Sequence, residues 1–328
     1  MDTTIKQINW GIIGLGKISD SFVTDLLLVD DASLHAVASR SQEKANAFKK
    51  KFNAKEAYDS YDQLFNDPLV DIVYIGTPHN LHAELSIRAM QHGKHVLCEK
   101  PIALNKRQAL KMVQTSQAHQ TFFMEALWSR FNPSIVSILD QIEQGEIGEL
   151  RYLNADFTFC AEVFDGSRLT NLELGGGSLL DIGVYPLFLS YLLLGIPDKI
   201  LAISNFYKTG ADKQTSMILQ YKNAQAILHS NLVSSPSISA TISGTSGKIR
   251  LDNVWHEAQS YSLVKDDNSE EFLLPTLGKG FTYEIKECHK CLRDGKIESE
   301  LWSHQDSLNL IGIVDEVRHK IGLHFPEE

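Results

Sequence analysis

Several stretches of this chain carry groups able to do chemistry. Lys100 stands in Glu99-Lys100-Pro101. Proline restricts the residue before it to extended backbone, which can aim the ammonium across the end of a sheet. A lysine of lowered pKa, or one that stabilises an alkoxide or phenolate, serves carbonyl and alcohol chemistry. A solvated surface lysine is the plain alternative. The second stretch runs Gly175-Gly176-Gly177-Ser178-Leu179-Leu180-Asp181-Ile182-Gly183-Val184-Tyr185. Its glycines let backbone approach a ligand or another element. A helix beginning near Ser178 puts Asp181 and Tyr185 four residues apart, on one face. An acid and a phenol so placed can bind a hydroxyl and exchange its proton. A capping carboxylate and a core tyrosine are the alternative.

The third stretch is the turn Gly14-Leu15-Gly16-Lys17-Ile18-Ser19. The first glycine allows a tight turn, and the second lets backbone approach a pyrophosphate. The third small residue, here serine where Gly or Ala is usual, lets the helix pack on its strand. Helix N-terminal amides then face the phosphates. An ordinary tight strand-to-helix turn is the alternative. Ser39-Arg40-Ser41 follows the second strand. An NAD enzyme usually places Asp or Glu there for the ribose 2′-hydroxyl, whereas arginine suits a 2′-phosphate. The residues therefore favour NADP(H), with NAD(H) still open, and with a solvated arginine as the alternative.

The elements that must position these groups alternate. Strands are predicted over Ile8–Ile13, Leu34–Ser39, Asp71–Ile75, His95–Glu99 and Thr121–Met124. Helices are predicted after Gly16, from Ser41 to Phe52, from His82 to Gly93 and from Asn105 to about His119. This order predicts a doubly wound parallel sheet with ligands beyond the carboxyl ends of its strands. The functional positions are then Gly14–Gly16, Ser39-Arg40, Thr77-Pro78 and Glu99-Lys100-Pro101. After Asn132 the pattern changes. A helix to Gly145 and a strand over Leu150–Phe159 precede the Asp181 helix. Closely spaced strands follow at Lys199–Tyr207, Gln214–Tyr221, Ala224–Leu232, Ser237–Gly244 and Lys248–Leu251, then helices at about Gly278–Arg293 and Ser303–Gly322. The predicted class is α/β plus α+β: a Rossmann domain over residues 1–124, and a substrate-binding and oligomerisation domain over 125–328 on a largely antiparallel open sheet.

Taken together, Gly14-Leu15-Gly16, Glu99-Lys100-Pro101 and Gly175–Tyr185 resemble the glucose-fructose oxidoreductase / inositol dehydrogenase / MocA family over nearly the whole chain. Met124-Glu125-Ala126-Leu127-Trp128-Ser129-Arg130-Phe131-Asn132-Pro133 resembles the branch with dimeric dihydrodiol dehydrogenase and NADP-dependent D-xylose dehydrogenase. Tyr185 agrees with that branch, because inositol dehydrogenase-type members carry histidine there. The resemblance implies a dehydrogenase acting on CH–OH or CH–CH groups, with Lys100, Asp181 and Tyr185 catalytic. It implies cofactor contacts from Gly14, Leu15, Gly16, Lys17, Ile18, Ser39, Arg40, Thr77, Pro78, His79, His82, Glu99, Lys100, Trp128 and Arg130. Substrate contacts would come from Trp128, Phe157, Arg168, Asp181 and Tyr185, with aromatic walls at Trp128 and from Phe157 to Phe164. The resemblance further implies a polyol, sugar or dihydrodiol substrate, and a homodimer or higher homo-oligomer joined through the second sheet. The same scaffold also carries a non-catalytic NADP-binding sensor, which is the alternative function.

Composition narrows the field. Hydrophobic residues make up 43% and charged residues 22%, enough for a sizeable core. A net charge of −10 argues against nucleic-acid binding. Cys288 and Cys291 form C-x-x-C inside a helical pattern and read as buried thiols, while Cys98 and Cys160 are isolated, usage that fits a reducing compartment. No metal is expected: His79 and His82 lack convergent carboxylates or cysteines. The N-terminus lacks an apolar signal core. The most apolar later run, Leu187–Ile196, is shorter than the roughly 20 residues a membrane span needs. A cytoplasmic protein without membrane partners is the expectation.

Overall fold

The computed structural model describes residues 7–162, 167–236, 238–252, 254–266 and 268–326. Apolar runs bounded by turn residues form the first sheet, and amphipathic stretches form the helices between its strands. In chain order these are β1 (Ile8–Ile13), α1 (Lys17–Leu26), β2 (Ala32–Ala38), α2 (Gln42–Phe52), β3 (Glu56–Tyr58), α3 (Tyr61–Asn66), β4 (Ile72–Ile75), α4 (His82–Gln91), β5 (His95–Glu99), α5 (Lys106–His119) and β6 (Phe123–Ala126). Among the described residues they give a six-stranded sheet in the order β3-β2-β1-β4-β5-β6, and every pairing is parallel. The chain reverses direction across the sheet at β1, between β2 and β4. Ligands of doubly wound folds bind at that switch point.

The next elements are α6 (Pro133–Glu143), β7 (Leu150–Thr158), α7 (Val184–Leu194), β8 (Lys199–Phe206), β9 (Asp212–Gln220), β10 (Gln225–Asn231), β11 (Ala240–Gly244), β12 (Lys248–Leu251), β13 (Ser260–Lys265) and β14 (Asn268–Leu273). Two helices follow, α8 (Phe281–Arg293) and α9 (His304–Ile321). The second sheet runs β14-β13-β12-β11-β7-β10-β9-β8. Its pairings are antiparallel except β7 with β10.

Two compact units result. The first holds residues 1–103, 107–128 and 277–307, and the second holds 104–106, 129–276 and 308–328. The return of Leu277–Ser307 to the first unit has a physical cause. The buried Asp25 carboxylate on α1 accepts the backbone N–H groups of Lys279, Gly280 and Phe281 at 3.0, 2.9 and 2.9 Å. Trp10 in β1 donates its indole N–H to His289 of α8 at 2.9 Å, and the Phe123 amide donates to Ile297 O at 2.9 Å. Cys288 and Cys291 are buried on α8.

Several elements depart from the pattern read in the sequence. β3, α3, β13 and β14 were not foreseen. β3 is a three-residue strand and β14 is an almost wholly exposed edge of sequence NSEEFL, so neither has an apolar face to alternate. β6 lies two residues later than expected, at Phe123–Ala126. The strand expected from Ser237 begins at Ala240, and Ser237 itself lies outside the described residues. The Asp181 helix opens with a π-helical turn, Leu179–Gly183, before α7. The helical stretch Leu172–Leu194 is long and apolar enough to cross a bilayer, longer than the run read from sequence, but its most apolar window is 72% buried inside the protein. It is a core segment.

Candidate active site

In the first unit the site is built on the carboxyl ends of β1, β2, β4 and β5. Gly14 has φ +79°, and a Cβ there would lie 2.4 Å from Thr77 N and from Gly76 C. Only glycine lets the turn after β1 close against the loop after β4. Gly16 differs, since the nearest protein atom to a Cβ would be 3.8 Å away. Its lack of a side chain leaves open space in front of the turn, and α1 begins there with no side-chain cap. Free helix amides beside a bare backbone fit a pyrophosphate. Ser19, the small departure from the glycine pattern, is fully buried and returns its hydroxyl to Gly14 O at 2.8 Å. It ties the turn from inside. Leu15 is buried, whereas Gly16, Lys17 and Ile18 are exposed.

Arg40 follows β2 and is exposed. Its charge is felt by the Tyr61 phenol, whose pKa burial raises and Arg40 partly restores. Ser39 accepts the Ser41 amide at 3.3 Å, and Ser41 caps α2 by accepting Lys44 N. The Thr77 hydroxyl is buried without a partner among the described residues. An orphaned donor beside the glycine turn fits an oxygen-rich ligand.

His82 is fully buried. Its ring bridges Pro101 O through Nδ1 and Thr77 O through Nε2, both at 2.9 Å. It therefore joins the Thr77-Pro78 loop to the Lys100-Pro101 loop from within, and His79 packs edge-on against it with centroids 5.6 Å apart. Lys100 follows β5 directly and is half-buried. Its neighbour Glu99 accepts the Tyr74 hydroxyl at 2.6 Å, and burial together with Glu99 raises the Tyr74 pKa well above the usual phenol value. Ile102 N–H donates to Glu125 Oε1 at 2.9 Å. Trp128 is 3% exposed and stacks on Phe281 at 4.7 Å. In this unit it sits in an aromatic column that continues through Phe22 to Tyr74. Arg130 is half-buried in the turn Trp128–Phe131.

The second unit carries the other group. Gly177 has φ +126°, and a Cβ there would sit 2.2 Å from Asp212 Oδ1. The buried Asp212 carboxylate accepts the Ser178 hydroxyl at 2.7 Å, Leu179 N at 2.8 Å and the Thr215 hydroxyl at 2.8 Å. Burial raises its pKa against those three bonds. One strand of the sheet thus fixes the start of the helical segment. The segment presents Asp181, which accepts Arg168 at 2.7 Å, and Tyr185, which is 5% exposed. Tyr185 lies against Phe157 and His256, with ring centroids 5.3 and 4.9 Å away, and those two rings stack on each other at 4.0 Å.

Structure thus assembles Phe157, Asp181, Tyr185 and Arg168 in one unit, and the glycine turn, Thr77, His82 and Lys100 in the other. Phe164 lies outside the described residues. Asp212 and His256 escaped the sequence reading, and Glu125 entered it only as part of Met124–Pro133, without a role of its own. His256 comes from a 3₁₀ turn after Val254, whose φ of 51° is left-handed, and no periodicity signals such a turn. Among the described residues, no group of three or more His, Cys, Asp or Glu could hold a metal ion.

Comparison with known proteins agrees with this architecture. Residues 8–127 match the family described as an oxidoreductase family with an NAD-binding Rossmann fold, and residues 136–250 match the GFO/IDH/MocA C-terminal domain. A trans-1,2-dihydrobenzene-1,2-diol dehydrogenase of Xenopus tropicalis is 35% identical over 97% of this chain and 99% of the relative. The human protein of the same name is 33% identical over 98% and 99%. The structure of a 3-ketoreductase from Actinomadura kijaniata, in complex with NADP and TDP-benzene, superposes with a TM-score of 0.88 at 26% identity, covering 96% of this chain and 98% of that one. The chain belongs to the GFO/IDH/MocA oxidoreductase family.

Proposed function

We propose that the protein is an NADP(H)-dependent dehydrogenase of trans-dihydrodiols or of secondary hydroxyls on sugar-like rings. The observation that carries this reading is the setting of Tyr185. A buried phenol lies against the stacked rings of Phe157 and His256, one helical turn from an acid held by arginine. Flat or cyclic polyols fit such a wall, because ring faces pack on aromatic faces. The relatives named for dihydrodiols favour the first class, and the ketoreductase shows the scaffold with NADP bound.

When bound, the nicotinamide supplies the hydride acceptor. Tyr185 takes the proton of the reacting hydroxyl. Lys100 offsets the negative charge that develops on that oxygen. Asp181 accepts a hydrogen bond from a second hydroxyl and fixes the ring. Arg40, exposed after β2 with no carboxylate beside it in Ser39-Arg40-Ser41, selects the 2′-phosphate.

Initial rates with a trans-dihydrodiol, an aldopyranose panel, NADP+ and NAD+ test the reading. Expected are turnover of the dihydrodiol or an aldose, NADP+ preferred about tenfold or more, and a loss of about 10³-fold in kcat for Lys100→Met and Tyr185→Phe. Wild-type turnover in both variants breaks the catalytic assignment. Bound NADP+ with no turnover on any substrate favours a sensor.

The second sheet supports a homodimer. Leu201, Ile218 and Ile227 are in register across β8, β9 and β10 and are 52%, 43% and 41% exposed, with Ile203 beside them at 74%. An apolar stripe of this kind is usually covered by another surface. Light scattering on wild type and Ile218→Lys tests it, with a monomeric variant expected.

A further inference from the structure

We infer that Glu125 is a positioning residue for the Lys100 loop, acting through its hydrogen bond to the Ile102 backbone amide. The inference rests on the assignment of Lys100 to catalysis. Glu125 is 2% exposed and lies in β6, in register with Cys98 of β5. Its Oε1 accepts Ile102 N–H at 2.9 Å, two residues beyond Lys100, and its Oε2 accepts the Trp302 indole at 3.3 Å. The Ile102 carbonyl faces the Cys98 thiol at 3.9 Å, and the Pro101 carbonyl faces His82. The backbone after Lys100 is thus held on both edges, with the Glu125 carboxylate on the Ile102 amide. A buried acid costs several kcal/mol unless its oxygens are hydrogen-bonded; this one accepts a backbone amide on the loop that bears Lys100.

Its ionisation gives the position a signature. Burial, with Glu99, pushes its pKa up to about 7 against hydrogen bonds from Ser307, Trp302 and Ile102. The titratable groups on the elements packed around β6 include Glu99, Cys98 and His95 on β5, where His95 accepts the Phe122 amide at 2.9 Å, and His304 at the start of α9, beside Glu298. Burial drives the Cys98 thiol far up and the His95 and His304 imidazoles down. As Glu125 loses its proton, the bond to Ile102 becomes charge-assisted and shorter, and the Lys100 loop tightens. Turnover therefore rises through pH 7.

The test is the pH profile of kcat, with NADP+ affinity followed by fluorescence. In Glu125→Gln the step near pH 7 disappears and kcat falls about tenfold at pH 8, while KM and NADP+ affinity stay within twofold. Trp302→Phe removes a donor from Oε2 without touching Ile102, so its step moves to higher pH. That variant serves if Glu125→Gln does not fold. An unchanged step in Trp302→Phe, or wild-type kcat and profile in folded Glu125→Gln, overturns the inference. Loss of activity in Lys100→Met alongside such a result leaves the catalytic assignment intact. Retained activity in Lys100→Met overturns that assignment instead.

Discussion

The Lys100 loop and the Tyr185 helical segment solve one problem in two ways. Each carries a chemical group on backbone held by a buried carboxylate from a strand. For Lys100 that acid is Glu125, on the neighbouring strand of the same parallel sheet, and its partner is the Ile102 amide. For Tyr185 it is Asp212, at the start of β9, and its partners are Ser178, Leu179 and Thr215. The loop after β5 needs only a short reach, because a parallel sheet lines up strand ends along one edge. The helical segment instead starts with three glycines and a π turn, and it needs a carboxylate that replaces the missing cap at its first amides. The first arrangement leans on a repeating fold, the second on one irregular contact.

Gly14 and Gly177 are where this contrast breaks most readily. Both have positive φ and both would drive a Cβ into a neighbour. In Gly14→Ala the neighbour is the Thr77 backbone, which cannot yield, so the glycine turn and the loop after β4 must part. NADP+ affinity is expected to fall about 100-fold, or roughly 3 kcal/mol. In Gly177→Ala the neighbour is the Asp212 side chain, and NADP+ affinity is expected to stay within twofold while turnover falls. Isothermal titration beside steady-state rates separates the two. Equal losses of affinity erase the distinction between the regions.

A step smaller is Asp212→Ala. It leaves the Leu179 amide without its acceptor in a dry interior, and the Ser178 and Thr215 hydroxyls keep only the Ser230 and Ser204 hydroxyls. Expected are a loss of about 2–3 kcal/mol in stability and a fall in kcat of about tenfold, with NADP+ affinity unchanged. Denaturant unfolding followed by tyrosine and tryptophan fluorescence measures the first. If stability falls and kcat does not, Asp212 supports the fold alone.

The contrast also explains what the sequence could disclose. β1, β4 and β5 are short, largely apolar runs followed by Gly14, Gly76-Thr77-Pro78 and Lys100-Pro101, so their ends were legible as an expected ligand edge. Asp181 and Tyr185 showed through their helical spacing. Asp212 did not, because it stands 31 residues past Asp181 in the numbering and touches the segment only through the sheet. Glu125 was visible as part of Met124–Pro133, but its bond to Ile102 depends on the β5–β6 register. His256 depends on a left-handed Val254. His82, read as a cofactor contact, is buried with its ring between two carbonyls, an arrangement that spacing alone does not reveal. Pattern discloses periodic elements and the residues at their ends, while supports from elsewhere in the sheet become visible only once the pairing is known.

Arg168 gives the smallest effect and the finest test of the comparison. Its side chain is 41% exposed and that of Asp181 14%, so the pair sits partly in water and contributes little to folding, about 0–1 kcal/mol. Asp212, by contrast, is fully buried. Arg168→Ala is therefore expected to leave thermal stability within about 1 °C. What it removes is the fixed direction of the Asp181 carboxylate. If Asp181 orients a substrate hydroxyl, KM rises about three- to fivefold with kcat within twofold, since ground state and transition state lose the same contact. A fall in kcat at constant KM places Arg168 on the developing charge itself. Unchanged kinetics shows that Asp181 holds its orientation from the helical segment, and so from Asp212, without the arginine.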